Sequence, residues 1–255
     1  MQHQDPYVTS VIEESIATIE FYHPSHNSLP SNVLQQIVDA IEAADANADV
    51  SVIVLRSGGN RTFCAGASFD EMLDIKELEA GKAFFMGFAN VINACRRCSK
   101  LIIGRVQGKA VGGGVGLASA VDYCIASKYA SVKLSELAVG IGPFVVGPAV
   151  ERKMGLSAMS HLAINATEFQ TAKWAKDYGL FNEVFDTIEQ VDDYIDHLCK
   201  ILVSQSDAAK IELKKVLWKG TEAWDQLLSD RAEISGRLIL SEDAKSAMQS
   251  FKTKA

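Results

Sequence analysis

Apolar and polar positions alternate over residues 7–11 and again over 16–21, with Glu13-Glu14-Ser15 between them. A period of two predicts adjacent strands joined by a tight turn. After a polar loop at residues 23–28 the period changes. Val33, Ile37, Ala40, Ile41 and Ala44 recur at helical spacing, with Ser31 placed to cap the helix. Residues 50–55 are then a short apolar, β-branched run, the mark of a strand buried on both faces. Strand, helix and strand make a βαβ unit, which predicts an α/β fold with a parallel sheet.

Further along, residues 69–77 and 80–98 read as helices, 101–106 as another buried strand, and 123–126 and 131–134 as two more short strands. Beyond Pro143 the spacing is mostly helical, with a brief strand candidate at 180–185. Strand-bearing sequence gives way to helical sequence near residue 190. Residues 1–190 therefore read as the core, and 191–255 as a helical region that covers it or joins neighbouring subunits.

Composition narrows the function classes. A chain of 255 residues with 48% hydrophobic and 22% charged residues is an ordinary globular protein, long enough to need no disulfide or metal staple. A net charge of −7 argues against general nucleic-acid binding, though not against a local basic pocket for an anionic ligand. The polar start Met1-Gln2-His3-Gln4-Asp5-Pro6 lacks a signal-peptide layout, and no run of roughly 18 apolar residues suggests a membrane span. A reducing, cytoplasmic setting is the expectation, in keeping with five scattered cysteines. Cys95 and Cys98 have metal-site spacing but no second pair, so they read as structural thiols, and the scattered histidines as core or surface residues.

Two small-residue turns each follow a buried strand: Cys64-Ala65-Gly66-Ala67 and Gly112-Gly113-Gly114. Small side chains leave backbone N–H groups accessible, and the second turn also opens a helix, whose first N–H groups attract negative charge. Two convergent donors of this kind make an oxyanion hole. Either turn alone is equally consistent with tight helix–sheet packing. A dinucleotide fingerprint fails here, because no G-x-G-x-x-G register fits: the sixth position from Gly112 is Leu117 and from Gly114 is Ser119.

With these motifs in order, the chain resembles the crotonase, or enoyl-CoA hydratase/isomerase, superfamily. Thr62-Phe63-Cys64-Ala65-Gly66-Ala67 carries the resemblance, with the run Val111 through Ala118 followed by Asp122-Tyr123, and Leu134-Ser135-Glu136-Leu137 leading to Gly140-Ile141. Pro24, Asn27-Ser28-Leu29 and Ala175-Lys176-Asp177-Tyr178-Gly179-Leu180 agree more weakly, and the likeness spans residues 10–190. It implies an α/β spiral of ββα units with a C-terminal helical region, homotrimers or hexamers, and an acyl-CoA thioester substrate. It also implies no metal, nicotinamide or flavin, coenzyme A being part of the substrate. By the resemblance, the N–H groups of Ala67 and Gly113 polarise the thioester carbonyl, within a substrate site of Ala65, Gly66, Gly112, Gly114, Gly116 and Phe144. The physics agrees, since fixed donors stabilise an enolate oxygen most as its charge develops.

The family's acid/base carboxylates lie at two places. One matches Glu136, whose apolar neighbours Leu134, Leu137, Ala138 and Val139 favour a raised pKa by desolvation. The other is Gly116 here, and many members also carry an Asp where this chain has Ser68. One carboxylate suffices to move a proton between C2 and C4, so isomerisation is favoured over hydration. Pro143-Phe144 resembles the family's isomerases as well. A non-catalytic acyl-CoA or partner-binding protein is the alternative. Ser135 has no histidine at triad spacing, Asp122 reads as a turn residue, and Lys210, Lys214 and Lys215 read as a solvated stripe or as contacts to CoA phosphates.

Overall fold

A computed structural model describes residues 5–252. The strands are β1 (Tyr7–Glu13), β2 (Ile16–Tyr22), β3 (Ser28–Leu29), β4 (Val52–Ser57), β5 (Thr62–Cys64), β6 (Gly66–Ala67), β7 (Leu101–Val106), β8 (Lys109–Val111), β9 (Tyr123–Ser127), β10 (Ser131–Lys133), β11 (Gln170–Thr171) and β12 (Glu183–Phe185). The helices are α1 (Ser31–Ala46), α2 (Phe69–Leu73), α3 (Leu78–Arg97), α4 (Gly113–Ala120), α5 (Gly147–Ile164), α6 (Ala172–Asp177), α7 (Ile188–Val203), α8 (Asp207–Leu217), α9 (Trp224–Leu238) and α10 (Glu242–Lys252). A 3₁₀ turn, Glu136–Val139, follows β10.

A six-stranded sheet runs β1-β2-β4-β7-β9-β12, and a four-stranded sheet runs β11-β10-β8-β5. Only the β1–β2 and β10–β11 pairings are antiparallel in these two sheets. The pairs β4–β5, β7–β8 and β9–β10 each give one strand to the large sheet and the next to the small sheet before helical structure follows. This is the spiral of ββα units that the motifs implied. The apolar run of β4 is used on both faces, as read from the sequence. Ile53 and Leu55 join the main core with α1 and α3, while Val52 and Val54 meet Val191, Ile195 and Cys199 of α7.

Three local readings are corrected. Ser31 is the first residue of α1 rather than its cap; its N–H and hydroxyl donate to Glu71 Oε2 at 3.0 and 2.8 Å, and Pro30 holds the cap position. Strand β4 starts later than expected because the N–H groups of Ser51 and Val52 donate to the Ser15 carbonyl. Lys210 and Lys214 are buried rather than solvated, and only Lys215 is exposed, pairing with Glu212.

Lys214 explains the placement of Asp122. Their side chains, 3% and 4% exposed, pair at 2.9 Å. The Asp122 carboxylate also accepts from Ile102 N–H and Trp218 Nε1, each at 2.7 Å. A buried ion pair is tolerable when further hydrogen bonds complete it, so Asp122 ties α8 to the sheet. Trp218, Trp224 and Leu228 are buried within the chain, whereas Leu213, Val216 and Leu217 are exposed.

Helix α9 crosses α3 backbone to backbone. A Cβ on Gly81 would lie 2.9 Å from the Gly236 Cα, and one on Gly236 would lie 2.6 Å from the Lys82 nitrogen. Helix α10 closes over the 3₁₀ turn, where Gly140 faces Ala244.

Candidate active site

The Cys64-to-Ala67 turn is held by a two-strand ladder. Asn27, buried, donates from its side chain to the carbonyls of Gly58 and Thr62, and its own carbonyl accepts from Ala65 N–H at 3.1 Å. Ser28 Oγ donates to the Ala67 carbonyl at 2.9 Å, and Ser68 N–H donates to Leu29. The weakly matching Asn27-Ser28-Leu29 segment therefore fixes the peptide planes of this turn.

The second turn sits against the first. Gly112 has φ +52°, a backbone state that a side chain resists, and its N–H donates to the Lys133 carbonyl at 2.8 Å. Gly113 then begins α4, so its N–H belongs to the helix end that lacks intrahelical partners. A Cβ on Gly66 would stand 3.7 Å from the Gly113 nitrogen, which measures how closely the turns approach. Phe88 of α3 covers Gly113, where a Cβ would meet its ring at 2.3 Å.

Glu136 lies over the same place. A Cβ on Gly112 would be 2.9 Å from Glu136 Oε1. The residue as a whole keeps some exposure to the cavity, but Oε2 is closed off from solvent and has no hydrogen-bond partner. Burial pushes this carboxyl up to about 7, against a smaller opposing effect from its own backbone N–H.

These groups line a cavity of about 590 Å³, a size suited to a small-molecule ligand. Ala65, Gly66, Ala67, Gly112, Gly113, Glu136 and Phe144 all reach it. Gly114 and Gly116 do not. Gly114 backs onto the Cys64 carbonyl, and a Cβ on Gly116 would lie 2.5 Å from Val146 Cγ1. The place where the resemblance allowed a second carboxylate is thus packed with valine. Several lining residues carry no motif signal: Asp70, Phe88, Lys133 and Ser235. Lys133 was traceable in principle, since alternation along β10 puts it opposite Val132 in facing.

Chemically, the arrangement offers main-chain donors for a developing oxyanion and one desolvated carboxyl for a proton. Among the described residues no group of three His, Cys, Asp or Glu side chains could hold a metal. Cys95 and Cys98 are free and buried, their thiols pushed by burial to about 12 and about 11. No helix among the described residues is long and apolar enough to cross a membrane.

Comparison with known proteins supplies the context. The family described as enoyl-CoA hydratase/isomerase matches residues 11–255. The chain is 27% identical to the peroxisomal Delta(3,5)-Delta(2,4)-dienoyl-CoA isomerase of Arabidopsis thaliana, over 95% of this chain and 91% of that protein. It is 28% identical to a short-chain-enoyl-CoA hydratase of Clostridium acetobutylicum, over 95% and 93%. In fold it is similar to the crystal structure of an enoyl-CoA hydratase from Bacillus halodurans, with a TM-score of 0.88 at 20% identity over 96% of this chain and 99% of that one.

Proposed function

The chain belongs to the enoyl-CoA hydratase/isomerase family, and from that premise we propose that it is an acyl-CoA enzyme working through an enolate, with Glu136 as its acid/base group. The observation that carries this reading is the Glu136 carboxyl over Gly112, its Oε2 buried without a partner, next to the helix-starting N–H of Gly113. In the proposed reaction the thioester oxygen accepts hydrogen bonds from Ala67 and Gly113 N–H. Glu136 takes a proton from C2 of a 3-enoyl thioester, the electron pair delocalises onto that oxygen, and the proton returns at C4. Preorganised donors of this kind are worth roughly 10²–10³ in turnover each.

Isomerisation is favoured over hydration because Val146 fills the space beside Gly116. Hydration keeps one specific support, since Asp70 lines the same cavity. Coenzyme A enters as part of the substrate, with no other cofactor in the scheme. Assembly as a trimer or hexamer belongs to the proposal too, supported by exposed Leu213, Val216 and Leu217, and light scattering tests it. For the chemistry, the protein is incubated with 2-enoyl- and 3-enoyl-CoAs and the products are weighed. Unchanged mass with a shifted double bond supports isomerisation, and one added water supports hydration. Binding without turnover would leave a non-catalytic acyl-CoA protein and overturn the reading.

A further inference from the structure

Six lysines are buried or half-buried among the described residues, and five of them reach an oxygen. Lys82, Lys100, Lys153, Lys210 and Lys214 pair with carboxylates or backbone carbonyls, as with Lys153 Nζ and the Asp122 carbonyl at 3.0 Å. Lys133 has instead the ring of Phe169, its Nζ 4.5 Å from the centroid, and the same ring is shared with Lys109 Nζ at 5.2 Å. Burial first, and the Lys109 charge second, lower the Lys133 pKa; exposed Glu168 opposes them without forming an ion pair with it. A half-desolvated ammonium facing a second one is costly unless an anion joins them.

The position says where that anion comes from. Lys133 lines the cavity and is its only lysine or arginine among the described residues. Its carbonyl receives the Gly112 N–H, and it stands three residues before Glu136 on the strand leading to that residue. The ammonium is therefore no more than one lysine side chain from the proposed oxyanion turn. An anionic group on the acyl chain, a few bonds from the thioester, has the reach to meet it. The CoA diphosphate is separated from the thioester by the whole pantetheine arm, whereas a carboxylate on the acyl chain is not.

We propose that Lys133, supported by Lys109 and Phe169, recognises a free carboxylate on the acyl portion of the ligand, so that the preferred substrates are thioesters of short dicarboxylic acids. The inference rests on the acyl-CoA reading above. Its test is calorimetric binding of two saturated, unreactive ligands, hexanoyl-CoA and adipoyl-CoA, to the wild type and to Lys133→Met and Lys133→Arg. The wild type should prefer adipoyl-CoA by about 10–100-fold, the worth of a charge-assisted hydrogen bond. Lys133→Met should erase the preference while leaving hexanoyl-CoA binding within about twofold, and Lys133→Arg should keep much of it. Equal affinity of the wild type for both ligands overturns the inference alone. So does an equal loss for both in Lys133→Met, which would put the ammonium on CoA itself. Failure of the folded wild type to bind either thioester overturns the acyl-CoA reading and this inference with it.

Discussion

Replacing Glu136 with Gln should make the protein more stable and less active, with a pH dependence that identifies the cause. In the folded chain this carboxyl is raised from an ordinary 4.5 to about 7, chiefly by burial. Because the folded form holds its proton more tightly than the unfolded form, protonation favours folding. Wild-type stability is therefore fully present below about pH 4.5 and declines as pH rises toward 7. That span of pKa corresponds to about 3 kcal/mol of cost for the buried charge. Gln keeps the shape and never ionises. The stability gap between variant and wild type should open from pH 4.5, approach about 3 kcal/mol near pH 7, and stay level beyond. Urea unfolding at fixed protein concentration, from pH 4.5 to 8.5, measures it. Over the same range, wild-type kcat/KM should rise through about pH 7 as the base loses its proton, and the variant should lose about 10²–10⁴ in turnover. A stability gap that does not change with pH would refute the argument that burial penalises the ionised carboxylate at this site.

Two further substitutions probe the surroundings. Gly116→Glu should cost about 1–3 kcal/mol and confer no hydratase activity, because its Cβ meets Val146; pairing it with Val146→Gly should recover stability in thermal unfolding. Asp122→Ala should cost about 3–5 kcal/mol by stranding the buried Lys214 charge, with native-state turnover little changed, and a loss under about 1 kcal/mol in urea unfolding would contradict the tie it makes to α8.

The sequence disclosed the architecture where periodicity and punctuation agree. The β4 run was legible as a doubly buried strand because its residues are apolar on both parities, and α7 supplies the second cover. Helix α4 was legible because glycines open it and apolar residues continue it. The turns carrying Ala67 and Gly113 could be named only once the resemblance joined them, since small residues in either turn alone suit tight packing equally well. What stayed hidden depends on distant parts of the chain. Lys214 looks like one member of a charged stripe until Asp122, far away in sequence, is seen beside it. Gly116 looks like vacant room until Val146 is seen to occupy it. Ser235 reaches the cavity through a helix crossing, which leaves no local signature, and alternation along β10 gives the facing of Lys133 but not the cavity it faces.

The crossing at Gly81 and Gly236 also acts as a gauge. Phe85 and Phe88 ride on α3 and Ser235 on α9, and all three line the chamber, so the spacing of those two helices bears on its width. A single methyl group at either glycine is a shim: it must pry the helices apart, since a Cβ has no room at the present separation. Chamber width thus responds to two residues that face each other rather than the cavity. Swapping small for slightly larger side chains there would retune which acyl chains fit, and through Phe88, which covers Gly113, would also reach one of the turns proposed to handle the thioester.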